Sequence, residues 1–454
     1  MNPDNLYQTA IDSSMSPLAV LMTGVIVLAL LVLFRSRHTA VATIIAAVCY
    51  LPQTEAINLG FHFYAIRLVL LAGIIRVFTR GENKGFRWGR VDRALLTYAL
   101  VIIIMASLRA PDEFTYRLGN LYDILLGYFT FRCLIRNEDD FRRILSKTAY
   151  VLLPFAGLML YESFTNHNPF SVFHGVFVSS EVRYAHVRAI GPFRNPITAG
   201  SFGATFFMFY ASLLFARVHT RAVFLGLAAS VAIVYSAHAT GPFLGLSLGL
   251  LSFACWRVRD RMKEILWGCV GLLFVLQLAM NKPVWFLIGR ASGIAGGGGW
   301  HRSELIEKAV EHFDRWWFAG TMDTVDWFPY YLPDYGVADI TNWFISAAVV
   351  AGLLGLITAI MLIVVSFQTL SKALSARREK LEQRFVWGIG STLVATIGIF
   401  FSITYMDQMQ VIFYFLLASF TALATYAHPV AVPIRAVPAR VLERVPWREK
   451  LGEM

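Results

Sequence analysis

The chain has 454 residues, of which 57% are hydrophobic, 14% aromatic and only 15% charged, with a formal net charge of +11. A soluble globular chain carries about 25% charged and about 45–50% apolar residues, so a mean hydropathy of +0.58 takes most of this polypeptide out of water. That excludes a soluble enzyme and a disordered chain, and apolar stretches of helix length, not alternating segments of roughly 10 residues, exclude an outer-membrane barrel.

The expected fold is all-α, a polytopic helical membrane protein of about 13 transmembrane helices. Apolar runs fall at 17–34, 39–53, 61–78, 93–108, 117–134, 144–163, 197–216, 222–239, 241–256, 264–281, 339–366, 386–405 and 409–427. The first reads as an uncleaved span, because Asp4 and Asp12 precede it in place of a basic segment and no small-residue cleavage site follows. Basic residues gather in alternate connections: 35–37, 76–93, 132–147, 217–221, 257–263, 372–384 and 435–450 hold 29 of the 40 Lys and Arg. The positive-inside rule puts these in the cytoplasm, with the N-terminus outside and the C-terminus inside. The net positive charge therefore reports orientation, and no nucleic-acid partner is expected. Cys49, Cys133, Cys255 and Cys269 lack CxxC or Cys/His spacing, so neither a disulfide framework nor a zinc site is expected.

This reading divides the chain into N-terminal helices (1–163), a first long external loop (164–196), central helices (197–281), a large external loop (282–338), C-terminal helices (339–427) and a basic cytoplasmic tail (428–454). Loops beyond about 12–15 residues usually work, so chemistry is expected in the two long ones. The first carries Arg183, His186, Arg188 and Arg194 on a face normally depleted of cations, which implies a specific anionic partner; pairing with lipid headgroups and Glu181 is the bland alternative. Gly191, Pro192 and Pro196 predict a stiff turn into the next span that fixes the guanidinium directions.

The second loop runs from Arg290 through a glycine run to Trp300-His301-Arg302-Ser303-Glu304, followed by Leu305, Ile306, Ala309, Val310, Phe313, Trp316 and Trp317 at helical spacing. The pattern predicts a glycine-rich turn feeding an amphipathic helix on the membrane surface, whose free N–H groups beside Arg302 form an anion cradle. A ligand-free flexible linker is the alternative, and the absence of Gly-Lys-Ser/Thr excludes a nucleotide P-loop. His301 is a candidate general base, although a lone histidine is more often simply solvated. Within the membrane, Arg67 and Asp123 are expected either to pair and line an outward-facing cavity or to snorkel.

These residues resemble the O-antigen ligase and O-antigen polymerase family of bacterial inner-membrane glycosyltransferases and related exopolysaccharide polymerases. The resemblance rests on Arg188-Ala-Ile-Gly-Pro-Phe-Arg194-Asn-Pro entering a span, Thr240-Gly-Pro-Phe-Leu-Gly opening another, Gly-Trp-His-Arg302-Ser-Glu-Leu-Ile-Glu in the large loop, and Asp339-Ile-Thr-Asn342-Trp-Phe followed by Ala351-Gly-Leu-Leu-Gly355. It covers 183–356 and implies glycan transfer from a polyprenyl diphosphate carrier at the outer face, independent of metal and cofactor. The implied catalytic residues are Arg188, Arg194, Arg302 and His301, with His186, Arg290, Glu304 and Asn342 binding substrate. Expected partners are the lipid-linked glycan, membrane lipid and other polysaccharide assembly proteins. Ligases carry His-Asn where this chain has Thr341-Asn342, which favours a polymerase-like member. A flippase would show cations along a central path and two similar halves, and no internal repeat is found; a non-catalytic export subunit is the third reading. A divalent ion, were one used, would draw on Asp314, Asp323, Asp326 or Asp334.

Overall fold

A computed structural model describes residues 17–52, 56–58, 62–111, 113–173, 176–215, 220–294, 299–327, 340–405 and 407–425. Most of the glycine run, Asp334, Asp339 and the basic tail lie outside these residues. The described residues are 79% helical. In chain order it comprises α1 (Pro17–Phe34), α2 (Arg37–Tyr50), a hairpin of β1 (Ala56–Asn58) and β2 (His62–Tyr64), α3 (Ala65–Thr79) and α4 (Arg90–Arg109). Then come α5 (Glu113–Asp123), a π-helix at Ile124–Tyr128, α6 (Phe129–Leu134) and α7 (Glu138–Thr165). A second hairpin, β3 (Val182–Arg183) and β4 (His186–Val187), precedes α8 (Pro196–Leu213), α9 (Thr220–Ala237) and α10 (Thr240–Ala254). The rest is α11 (Met262–Ala279), α12 (Phe286–Ile294), α13 (Trp300–Glu311), α14 (Phe313–Trp316), α15 (Trp343–Ser375), α16 (Lys380–Phe400) and α17 (Asp407–Thr425).

Every apolar run contains helix, because a long uncharged stretch satisfies its backbone internally only in that form. Among the described residues, six helical stretches are long and apolar enough to cross a membrane: 17–34, 90–109, 138–165, 220–237, 240–279 and 343–375. The run at 117–134 is helical throughout but changes pitch at the π-helix directly after Asp123. α17 is buried along most of its described length, and Phe415 meets Phe131, Phe141 and Phe209 at ring separations of 5.5–5.8 Å. Such contacts are individually small and collectively decisive in a close-packed core.

Buried charges tie together one end of the bundle. Arg76 donates to the Val32 and Arg35 carbonyls and pairs with Glu82, while Arg132 pairs with Asp92, which also accepts from Tyr128. Asp140 receives Arg37 and His38. The two long connections lie at the opposite end, where Gln408 at the start of α17 donates to the carbonyls of Leu51 and Pro192.

Two features depart from expectation. The apolar stripe that begins on α13 is divided: Leu305, Ala309 and Trp316 pack with Trp327 against Ala348 and Val349 of α15, while Val310, Phe313 and Trp317 stay exposed. And α15 is broken, with Ala351 at φ −138°, ψ 22° and Gly352 at φ 67°, ψ −161°. Unpaired backbone groups cost several kcal/mol where water is excluded, and here three of them find a partner outside the helix. Arg109 Nη1 donates to the Val349 and Val350 carbonyls at 3.1 and 3.2 Å, Thr321 N donates to Val349 O at 2.7 Å, and Leu353 N donates to Trp317 O at 2.8 Å. Gly352 and Gly320 make the crossing possible: a Cβ on either would stand 2.3 Å from a carbonyl of the other segment.

Candidate anion site

The first long connection is held by one carboxylate. Glu162, fully buried at the end of α7, accepts from the Ser180 hydroxyl and from Ile190 N and Gly191 N at 2.8 Å each. Asn166 closes α7 in the left-handed region and accepts from Ser180 N, while Asn168 donates to Gly191 O. Gly191 itself has φ +60°, and a Cβ there would meet Met159 Sδ at 2.7 Å. The turn is therefore as stiff as Gly191-Pro192 predicts. It delivers the chain to α8, whose first turn is capped by Asn195 accepting from Thr198 N, with Pro196 at its first position.

Ahead of this turn, Arg183 and His186 face each other in the hairpin, with Tyr184 and Ala185 both at positive φ as a tight two-residue turn requires. Arg188, buried, donates to Glu181 Oε2 at 2.6 Å, so the pairing with Glu181 is present; its Nε has no partner among the described residues. The His186 ring stacks on His238 at 4.7 Å with an interplanar angle of 8°. Ala189 N donates to Ser236 O, clipping the loop to the end of α9.

Arg302 reaches this group from the second connection. It lies in the first turn of α13, and its Nη2 is 3.2 Å from where a Cβ of Gly241 would be, at the first turn of α10 beside Ser402. Burial, and then the charges of Arg183 and Arg188, push its pKa down to about 10. Arg302 still carries its charge at neutral pH, at an electrostatic cost that a bound anion would offset. Guanidiniums from two connections thus lie within electrostatic reach of one another in one partly dry place. Planar forks of this kind suit a phosphate, each charge-assisted hydrogen bond contributing roughly 1.5–3 kcal/mol.

A cavity of ≈ 250 Å³ lies on the other side of the turn after α16, which supplies Ser402 to the Arg302 group and Thr404 and Tyr405 to the cavity. Arg194 lines it together with Arg67, Arg117 and Asp123. Arg67 and Asp123 form the expected pair, Nε and Nη2 each 2.7 Å from a carboxylate oxygen. Walls come from Tyr98 and Trp343, and neutral polar groups from Ser346, Thr404 and Gln410.

Among the sequence candidates, Arg188 and Arg302 come together and His186 lies beside them, while Arg194 faces the cavity. His301 and Glu304 are half-buried in the first turn of α13, and Arg290 is exposed on α12. Asn342 is buried and caps α15, its Oδ1 accepting from Phe344 N and Ile345 N. Trp316 and Trp327 are buried in the small cap that α13, α14 and the segment to Trp327 form over the start of α15; Trp300 and Trp317 are exposed. Asp323 and Asp326 face Arg315, and its hydrogen bond holds the Asp326 carboxyl below its ordinary range. Sequence reasoning counted Arg183 among the loop cations that imply an anionic partner but gave it no catalytic or binding role, and it missed Glu162, His238 and Ser402. A lone acid near the end of an apolar run was the available signal for Glu162. Compared with models of known protein families and with curated proteins, the chain matches none.

Proposed function

We propose that this protein is a metal-independent membrane glycosyltransferase that polymerises polyprenyl-diphosphate-linked repeat units into a surface polysaccharide or exopolysaccharide. In this reading the chain crosses the bacterial inner membrane about 13 times, N-terminus outside and C-terminus inside, with the anion site at the outer face. The observation that carries it is the convergence of Arg183, Arg188 and Arg302 from two separate connections. In the reaction an acceptor hydroxyl oxygen bonds to the donor's anomeric carbon, and the bond from that carbon to the diphosphate oxygen breaks. The diphosphate leaves with the electron pair, and the hydroxyl proton passes to a base. Developing negative charge on the diphosphate is where fixed guanidiniums lower the barrier. Glu181, paired with Arg188, His186, stacked on His238, and His301 and Glu304, in the same helical turn as Arg302, are the candidate side chains for the proton. Transfer to a non-glycan-repeat acceptor, as in a ligase, uses the same leaving group; Thr341 in place of the ligase histidine favours the polymerase.

The test is the surface glycan of cells lacking the protein, complemented with wild type or Arg302→Ala. Single repeat units on the surface, restored to long polymer by wild type only, are expected. Full-length polymer left on the carrier would instead identify a ligase. Repeat units trapped in the cytoplasmic leaflet would identify a flippase and overturn the proposal.

A further inference from the structure

The cavity behind Arg194 differs chemically from the arginine group at Arg302. It holds a carboxylate, Asp123, which Arg67 grips with two parallel hydrogen bonds of 2.7 Å. An ionised carboxylate has about four lone-pair sites and this fork takes two, so Asp123 can still accept from other donors. Arg194, by contrast, makes no hydrogen bond or ion pair to any described residue, and it lines the same space. One open guanidinium and one half-satisfied carboxylate therefore face each other across ≈ 250 Å³.

Size narrows the occupant. Pockets for drug-sized ligands run to about 300–1,000 Å³, so this one takes a group of about a single ring. Charge narrows it again: Arg67 balances Asp123, Arg194 and Arg117 attract an anion, and the acceptor sites left on Asp123 favour an anion that also carries hydroxyl donors, which a fully ionised phosphate lacks. Neutral partners for hydroxyls are present in Ser346, Thr404 and Gln410, and the Tyr98 and Trp343 rings, 5.6 Å apart, give flat apolar walls for C–H faces. Directly after Asp123 the chain forms the π-helix Ile124–Tyr128, a local widening found frequently at functional sites.

We propose that this cavity is a separate binding site for one acidic sugar residue, a pyranose-sized polyol whose carboxylate meets Arg194 and whose hydroxyls meet Asp123. The site concerns binding alone and stands whether or not the chain forms glycosidic bonds.

The experiment uses the purified full-length protein in nanodiscs, with D-glucuronate, D-glucose, inorganic phosphate and inorganic diphosphate as probes. Binding is read by saturation-transfer NMR and by the shift in thermal unfolding. Glucuronate is expected to bind at least about tenfold more tightly than glucose or phosphate, the difference of one charge-assisted hydrogen bond. Arg194→Gln should reduce glucuronate to the level of glucose, and saturating diphosphate should leave glucuronate bound. Asp123→Asn should weaken glucuronate and glucose alike. Should Arg194→Gln unfold early without sugar, Gln410→Leu, which removes a neutral partner from the same wall, is expected to lower affinity for both sugars. Glucuronate binding no better than glucose, unchanged by Arg194→Gln, or displaced by diphosphate would each overturn the proposal.

Discussion

Glu162 offers the most quantitative test of how the anion site is held in place. Its Oε1 accepts from the Ser180 hydroxyl and Ile190 N, and its Oε2 from Gly191 N. Glu162→Gln preserves the shape but gives one side of the group to an NH₂, which cannot accept. The least costly arrangement keeps the oxygen on the two donors and turns the NH₂ toward Gly191 N. One charge-assisted bond is lost, about 1.5–3 kcal/mol, and the other two become ordinary neutral bonds. The first loss alone, at about 1.4 kcal/mol per decade, predicts amide exchange at Gly191 roughly 10- to 150-fold faster. Hydrogen exchange read by mass spectrometry on peptides spanning 186–193, with peptides from α16 as control, measures it directly. Because the same turn aims Arg188 and Arg194, glycan transfer should fall with it. Unchanged protection at 190–191 would refute the idea that this carboxylate anchors the loop.

Other expectations follow from the same geometry. Gly191→Ala forces a Cβ to 2.7 Å from Met159 Sδ at φ +60°, so thermal stability should drop by about 1–3 kcal/mol; an unaltered melting temperature counts against the turn as drawn. Arg302→Lys keeps the charge but loses the planar fork, and diphosphate affinity should fall roughly 10- to 150-fold, whereas a near-normal affinity removes Arg302 from the site. With Arg302 at about 10 in the free protein and higher when an anion is bound, diphosphate affinity is full below that pH and declines as pH rises through it. A flat affinity from about pH 8 to about pH 11 contradicts this linkage. In a cysteine-free background, Ser179→Cys and Glu311→Cys should react with an impermeant thiol reagent on intact cells and Ser375→Cys should not; the reverse pattern inverts the topology.

Helix positions were legible because a charge-free apolar run has one solution, and the runs at 17–34 and 264–281 coincide with α1 and α11 to within two residues. The Gly191-Pro192 turn and the Arg67–Asp123 pair were legible too, since a positive-φ glycine and two charges in an apolar setting each demand a partner structure. That Arg188 and Arg302 share one site was implied only by the family resemblance, and that Arg183 joins them while Arg194 lines a separate cavity was not legible, because the arrangement joins segments far apart in sequence and depends on how α10 and α13 pack at Gly241. Periodicity gave α13 its apolar stripe but could not say whether lipid or protein covers it. Gly352 reads in sequence as one more small residue of an apolar helix; only the 317–321 segment crossing it makes it a break.

That break changes what the first stretch of α15 belongs to. Residues 343–350 form a short rod with two occupied sides: Ala348 and Val349 carry the weight of Leu305, Trp316 and Trp327, while Trp343, Ser346, Ala347 and Val350 front the Arg194 cavity. The rod is a party wall between the cap and the cavity. Whatever leans on one side is felt on the other, and the load stops at Gly352, where the helical phase is lost and the long remainder of α15 begins afresh on the Trp317 carbonyl.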